Sequence, residues 1–88
     1  MAKVRLTLPP GWKHPGGLRQ LECDAETVGE AIDAFIAMEP RLEPRIRRDG
    51  AVWVGIFLND RNVLHLDGFA TVLSDGDTLR LIPPIAGG

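Results

Sequence analysis

The residues whose types and spacing are suited to chemistry stand together in the last stretch of this sequence, "IPPIAGG", residues 82–88. Pro83 and Pro84 fix φ and favour an extended, polyproline-like course, whereas Gly87 and Gly88 carry no Cβ and take up conformations closed to other residues. Fully extended, the stretch 83–88 reaches on the order of 20 Å, enough to enter another protein's active site without the body following. A channel that admits two glycines can be too narrow for any side chain, so a partner can select this end by exclusion, with Gly87, Ala86 and Ile85 as the recognised approach. The Gly88 α-carboxylate, with a reference pKa of about 3.3 to 3.7, is ionised and unreactive as an electrophile at neutral pH. Attack of that carboxylate on the α-phosphate of ATP gives an acyl-adenylate, which a sulfur or lysine nucleophile can open. The machinery for this is expected elsewhere, because the sequence contains no G-x-x-x-x-G-K-[ST] phosphate loop and indicates no Ser-His-Asp or Cys-His arrangement. Residues 83–88 are therefore expected to be a flexible tail. The chain is expected to be a co-substrate of an enzyme, with no catalytic residues and no cofactor of its own.

Other residues with chemical potential have plainer readings. Cys23 is the single cysteine, so no intramolecular disulfide can form. A persulfide or thioester role for it is set aside in favour of packing as a small hydrophobe at the end of a strand. His14 and His65 fall in separate loops without further ligands at metal spacing, so no metal site is expected. Asp75-Gly76-Asp77 lacks the remainder of a calcium loop and reads as a turn. Arg41, Arg45, Arg47 and Arg48 form a local basic cluster interrupted by Glu43 and Asp49; a solvated surface is the default and a docking patch for an acidic partner the alternative.

The elements that must position the tail fit into one small domain. With 88 residues, 44% hydrophobic and 25% charged, there is room for a single core. Ten Lys and Arg against twelve Asp and Glu leave a net charge of −2, which disfavours nucleic acid as a partner. No apolar run approaches the roughly 20 residues that span a bilayer, and nothing resembles a signal peptide, so the expected location is cytoplasmic. Residues 3–8 alternate with Val4, Leu6 and Leu8 on one face, and residues 18–23 resume an extended pattern after a Pro/Gly-rich loop. Val28, Ala31, Ile32, Phe35 and Ile36 then repeat at helical spacing, with Thr27 and Glu30 placed for a capping box and Pro40 as the stop. Residues 41–51 are expected to be irregular or a single turn. Residues 52–60 read as a central strand with Val54, Ile56 and Leu58 on one side and Trp53 and Phe57 on the other. A turn at 59–62, a short strand in "VLHL" and a last strand at 78–82 complete the order. One apolar helix stripe covering one apolar sheet face gives an α+β roll of the ubiquitin-like, β-grasp kind, with a mixed sheet of four to five strands and one main helix. Its body is residues 1–82. The first and last strands run parallel in the middle, and Phe57 and Ile82, on the face away from the helix, are candidates for partner docking.

The runs "LND", "LDGFATVLSDGDTLRLIPPIAGG" and the strand–helix order before them resemble the MoaD/ThiS family of sulfur-carrier proteins, nearest its MoaD-like branch. The resemblance covers nearly the whole chain. It implies that Gly88 is adenylated by a ubiquitin-activating-enzyme-like adenylyltransferase and converted to a thiocarboxylate, with Gly87 as its slender neighbour. It further implies a sulfur donor and a downstream sulfur-accepting synthase as partners, in molybdopterin, thiazole, cysteine or similar biosynthesis. Two rivals remain open: a protein modifier that joins target lysines through Gly88, and an inert binding module.

Overall fold

A computed structural model describes residues 1–9, 12 and 20–83 of the chain. β1 (Ala2–Thr7) and β2 (Gln20–Ala25) form an antiparallel pair, with Leu6 opposite Leu21 and Ala2 opposite Ala25. α1 (Val28–Met38) follows, then a 3-10 turn (Pro40–Leu42), a short α2 (Glu43–Ile46) and the two-residue strands β3 (Arg47–Arg48) and β4 (Ala51–Val52). β5 (Gly55–Leu58), β6 (Arg61–Asn62) and β7 (Thr78–Ile82) complete the five-stranded sheet, in the order β2-β1-β7-β5-β6. β7 lies at its centre, parallel to β1 and antiparallel to β5. This is the β-grasp arrangement. A parallel neighbour for β1 requires a crossover between them, and α1 with the segments after it supplies one.

Burial explains why the elements form where they do. Val4, Leu6 and Leu8 on one side of the first strand, Leu79 and Leu81 in β7, and Val28, Ala31, Ile32 and Phe35 on α1 are all at most 2% exposed. The period of two and the period of 3.6 thus point their apolar side chains into one layer. Leu42, Ile46, Val63 and Leu73 close its edges. α1 lies close against the 3-10 turn Gly68–Ala70, where a Cβ on Gly29 would sit 3.2 Å from Phe69 Cβ and 3.3 Å from Phe69 O. A side chain at position 29 would push the two apart.

Two turns fasten the central strand. Asp75 Oδ1 accepts from the Lys3 amide at 2.7 Å, the Gly76 amide donates to Lys3 O at 2.9 Å, and Asp77 Oδ2 accepts from the Ser74 amide at 2.7 Å. Gly76 has φ +88°, a conformation that L side chains avoid, so the Asp-Gly-Asp order follows from two carboxylates holding amides around a left-handed residue. On the other side, Asn59 (φ +56°) turns β5 into β6, and its side chain accepts from the Thr78 amide and donates to Asp77.

Several expectations are corrected. The second strand lies at Gln20–Ala25 and continues to Ala25 because its pairing runs to Ala2. The expected strand 52–60 is divided: Gly55–Leu58 joins the sheet beside β7 and is not its centre, while Val52 pairs with Arg47 in a separate hairpin. Trp53 leaves the sheet because its amide donates to Ile46 O and its indole Nε1 donates to Arg45 O at 2.8 Å. Asp49 (φ +53°) and Gly50 (φ +79°) form the tight turn of that hairpin inside a stretch expected to be irregular. "VLHL" is a 3-10 turn (Val63–His65), nucleated by Asn62 Oδ1 accepting from the Leu64 amide at 2.9 Å. The capping box is half formed: Thr27 Oγ1 accepts from the Glu30 amide at 3.2 Å, while the exposed Glu30 carboxylate makes no return bond among the described residues. Thr27→Ala is expected to cost about 1 kcal/mol, seen as a lower urea midpoint at unchanged m-value, with Thr27→Ser close to the parent.

Candidate functional site at the root of the tail

The tail starts from the central strand of the five-stranded sheet. Leu79 and Arg80 of β7 are paired on both sides, with β1 through Leu6–Leu79 and Thr7–Arg80 and with β5 through Leu58–Leu79 and Phe57–Arg80. At Leu81 and Ile82 the described pairing comes from β5 alone, through Ile56 and Gly55. The chain therefore leaves the sheet progressively, at the end of a strand whose Leu79 and Leu81 are anchored in the core. Pro83 follows, exposed, and lacks the N–H that would extend the ladder. Ile85, Ala86, Gly87 and Gly88 lie outside the described residues.

Around this root the outer sheet face carries Phe57 and Ile82. Phe57 is half-buried and Ile82 is 41% exposed. They flank Gly55: a Cβ at that position would lie 3.4 Å from Ile82 Cβ and 3.9 Å from Phe57 Cε1. The missing side chain leaves a shallow apolar depression between the two. The Arg80 guanidinium sits 5.7 Å from the Phe57 ring centroid, a cation over the negative face of the ring. Sequence reasoning named Phe57 and Ile82 but missed Gly55 and Arg80. The period-two alternation of β7 and β5 is the signal that could have found them, because it puts 55, 57, 80 and 82 on one face.

The remaining sequence candidates do not converge on this root. Cys23 is half-buried on β2 against the core. Burial, and after it the negative charge of Asp24, pushes its thiol pKa up, which keeps the sulfur protonated and a poor nucleophile at neutral pH. His65 is exposed in its 3-10 turn, and His14 lies outside the described residues. Among the described residues, no group of three His, Cys, Asp or Glu side chains is placed to hold a metal ion. Nor is any helix among them long and apolar enough to cross a membrane.

The model of the ThiS family matches residues 13–88. The chain belongs to the ThiS family. This ThiS-family chain is 43% identical to small archaeal modifier protein 3 of Haloferax volcanii over 67 residues, covering 74% of this chain and 73% of that protein. It is 30% identical to the sulfur carrier protein CysO of Mycobacterium tuberculosis over 84 residues, covering 85% and 86%. A chain in the crystal structure of the Amycolatopsis orientalis BexX/CysO complex superposes with a TM-score of 0.83 at 28% identity, covering 97% of this chain and 99% of that one. ThiS-family relatives are thus named as carriers, as modifiers and as one component of a protein complex, which supports a carrier or modifier role exercised with partner proteins.

Proposed function

We propose that this chain carries sulfur on Gly88 as a C-terminal thiocarboxylate. The observation that carries the reading is the doubly paired central strand β7, which leads without interruption into "PPIAGG". A rigid root with a slender end suits delivery of a carboxylate into another enzyme. A Gly88 carboxylate oxygen attacks the α-phosphorus of ATP and pyrophosphate leaves. A sulfide-level nucleophile from a sulfur donor then displaces AMP from the acyl-adenylate, leaving C–S in place of C–O. An ATP-dependent adenylyltransferase of the ubiquitin-activating type performs the first step. A synthase that makes a sulfur-containing cofactor or metabolite consumes the product. The named sulfur carriers among its relatives support this assignment.

The second reading, attachment to target lysines through the same adenylate, is favoured by the 43% identity to an archaeal modifier. Incubating the chain with its activating enzyme, ATP and host extract separates the two. A carrier gives a sulfur-bearing chain and no new covalent partners, whereas a modifier gives higher-mass conjugates that disappear when lysines are blocked. An inert module gives neither.

The depression between Phe57 and Ile82 is the proposed grip of the activating enzyme on the body. Ile82→Asp places a charge on the outer face, away from the core. It is expected to weaken binding to that enzyme by about tenfold or more, as apolar anchors in contact centres do, with the melting temperature close to the parent. Unchanged affinity would remove this face from the account.

A further inference from the structure

The arginine cluster divides into two pairs with different fates. Arg41 Nε lies 3.1 Å from Glu39, and Arg47 bridges Glu43 at 2.9 Å and Asp33 of α1 at 3.1 Å. Arg45 and Arg48 have no carboxylate partner among the described residues and lie on tryptophans instead. The Arg48 guanidinium is 3.8 Å from the Trp53 ring centroid and that of Arg45 is 5.4 Å from Trp12. The pairs are joined, since the Trp53 indole donates to Arg45 O and Arg48 Nε donates to Pro44 O at 3.3 Å. Arg45 and Arg48 are both exposed, and Trp53 is 39% exposed.

This arrangement has a specific charge. Residues 41–50 hold four arginines against Glu43 and Asp49, a net +2 within a chain of net −2, so the rest of the molecule is acidic at −4. The two guanidinium planes are held on aromatic faces, which limits the ordering they must undergo on binding, and their terminal nitrogens remain available to carboxylates in bidentate geometry. Tryptophan and arginine together are also the residues that most often dominate protein contacts.

We propose that Trp12, Arg45, Arg48 and Trp53 form a docking site for an acidic segment of a partner protein. It lies beside α1, through the Arg47–Asp33 contact, and is independent of the thiocarboxylate reading. Nucleic acid suits it less well. Two cations without a carboxylate partner among the described residues fall short of the six to ten phosphate contacts that about 10³–10⁵-fold salt-sensitive binding implies, and the acidic remainder repels a long polyanion.

The chain contains two tryptophans and no tyrosine, so its intrinsic emission comes from this patch. Titration of the full chain with a hexaglutamate peptide at about 20 mM salt is expected to shift that emission saturably, and the shift to weaken as salt is raised. An Arg45→Gln/Arg48→Gln variant, which keeps both tryptophans, should bind at least about tenfold more weakly at an unchanged circular dichroism spectrum. Arg41→Gln, whose charge already faces Glu39, should stay within about twofold of the parent, and removing Gly87 and Gly88 should change nothing. The proposal is overturned by the absence of a saturable response, by equal weakening in Arg41→Gln, or by a single-stranded oligonucleotide binding as tightly as the peptide. Loss of the response on tail removal would also overturn it, by assigning the signal to the tail.

Discussion

Gly87→Trp is expected to reduce ATP-dependent charging of Gly88 by at least about 100-fold, the scale on which misplacement by about 1 Å impairs a positioned reaction. Under the proposed function, the end reaches the α-phosphate of ATP through a channel that discriminates by width, and the effect arises there. An indole one residue from the reacting carboxylate either blocks entry or holds the carboxylate away from in-line attack. Gly87→Ala, adding one methyl group, should lie between parent and Trp. The body is untouched, since position 87 lies beyond β7, so melting temperature and sheet amide exchange should match the parent. Release of pyrophosphate with the activating enzyme measures the effect. Charging at the parental rate would mean that slenderness is not what the partner reads.

Phe35→Ala carries the largest expected effect on stability. Phe35 is fully buried in the C-terminal half of α1, on the stripe that also buries Val28, Ala31 and Ile32. Truncating a buried phenylalanine typically costs about 3–5 kcal/mol, through lost transfer energy and the cavity left behind. A domain of this size is stable by only about 4–13 kcal/mol. The variant should therefore melt more than about 12 °C below the parent, taking about 4 °C or more per kcal/mol for a small domain. Because β7 is anchored in the same core, charging of Gly88 should fall in proportion to the unfolded fraction and recover on cooling. A cost below about 1 kcal/mol would mean that α1 does not cover the sheet as described.

The alternations of 3–8 and 78–82 and the stripe of α1 were legible because each element faces one core on one side, which leaves its period in the sequence. The Asp-Gly-Asp turn was legible from residue type alone. What failed to show depended on tertiary partners. The run 52–58 is almost continuously apolar, and nothing local reveals that Trp53 bonds to Arg45 O and leaves the sheet, or that β7 rather than β5 is central. The Asp49–Gly50 hairpin was hidden among charges, its strands being only two residues long. "VLHL" has the composition of a strand, but the Asn62 side chain redirects it. At the site, Phe57 and Ile82 followed from alternation. The gap at Gly55 depends on its register opposite Ile82, which pairing sets and composition does not. Arginines 45 and 48 could be counted but not separated from 41 and 47, because their partners are distant in sequence.

The central claim is that Gly88 holds sulfur. The direct measurement is the intact mass of the protein isolated from its native host without reductant or amine. A carrier shows a population about 16 Da heavier, from sulfur in place of one carboxylate oxygen, and fragmentation places the increment on Gly88. A mass that stays at the carboxylate value under conditions where the activating enzyme and sulfur donor are active, with or without lysine conjugates, contradicts it.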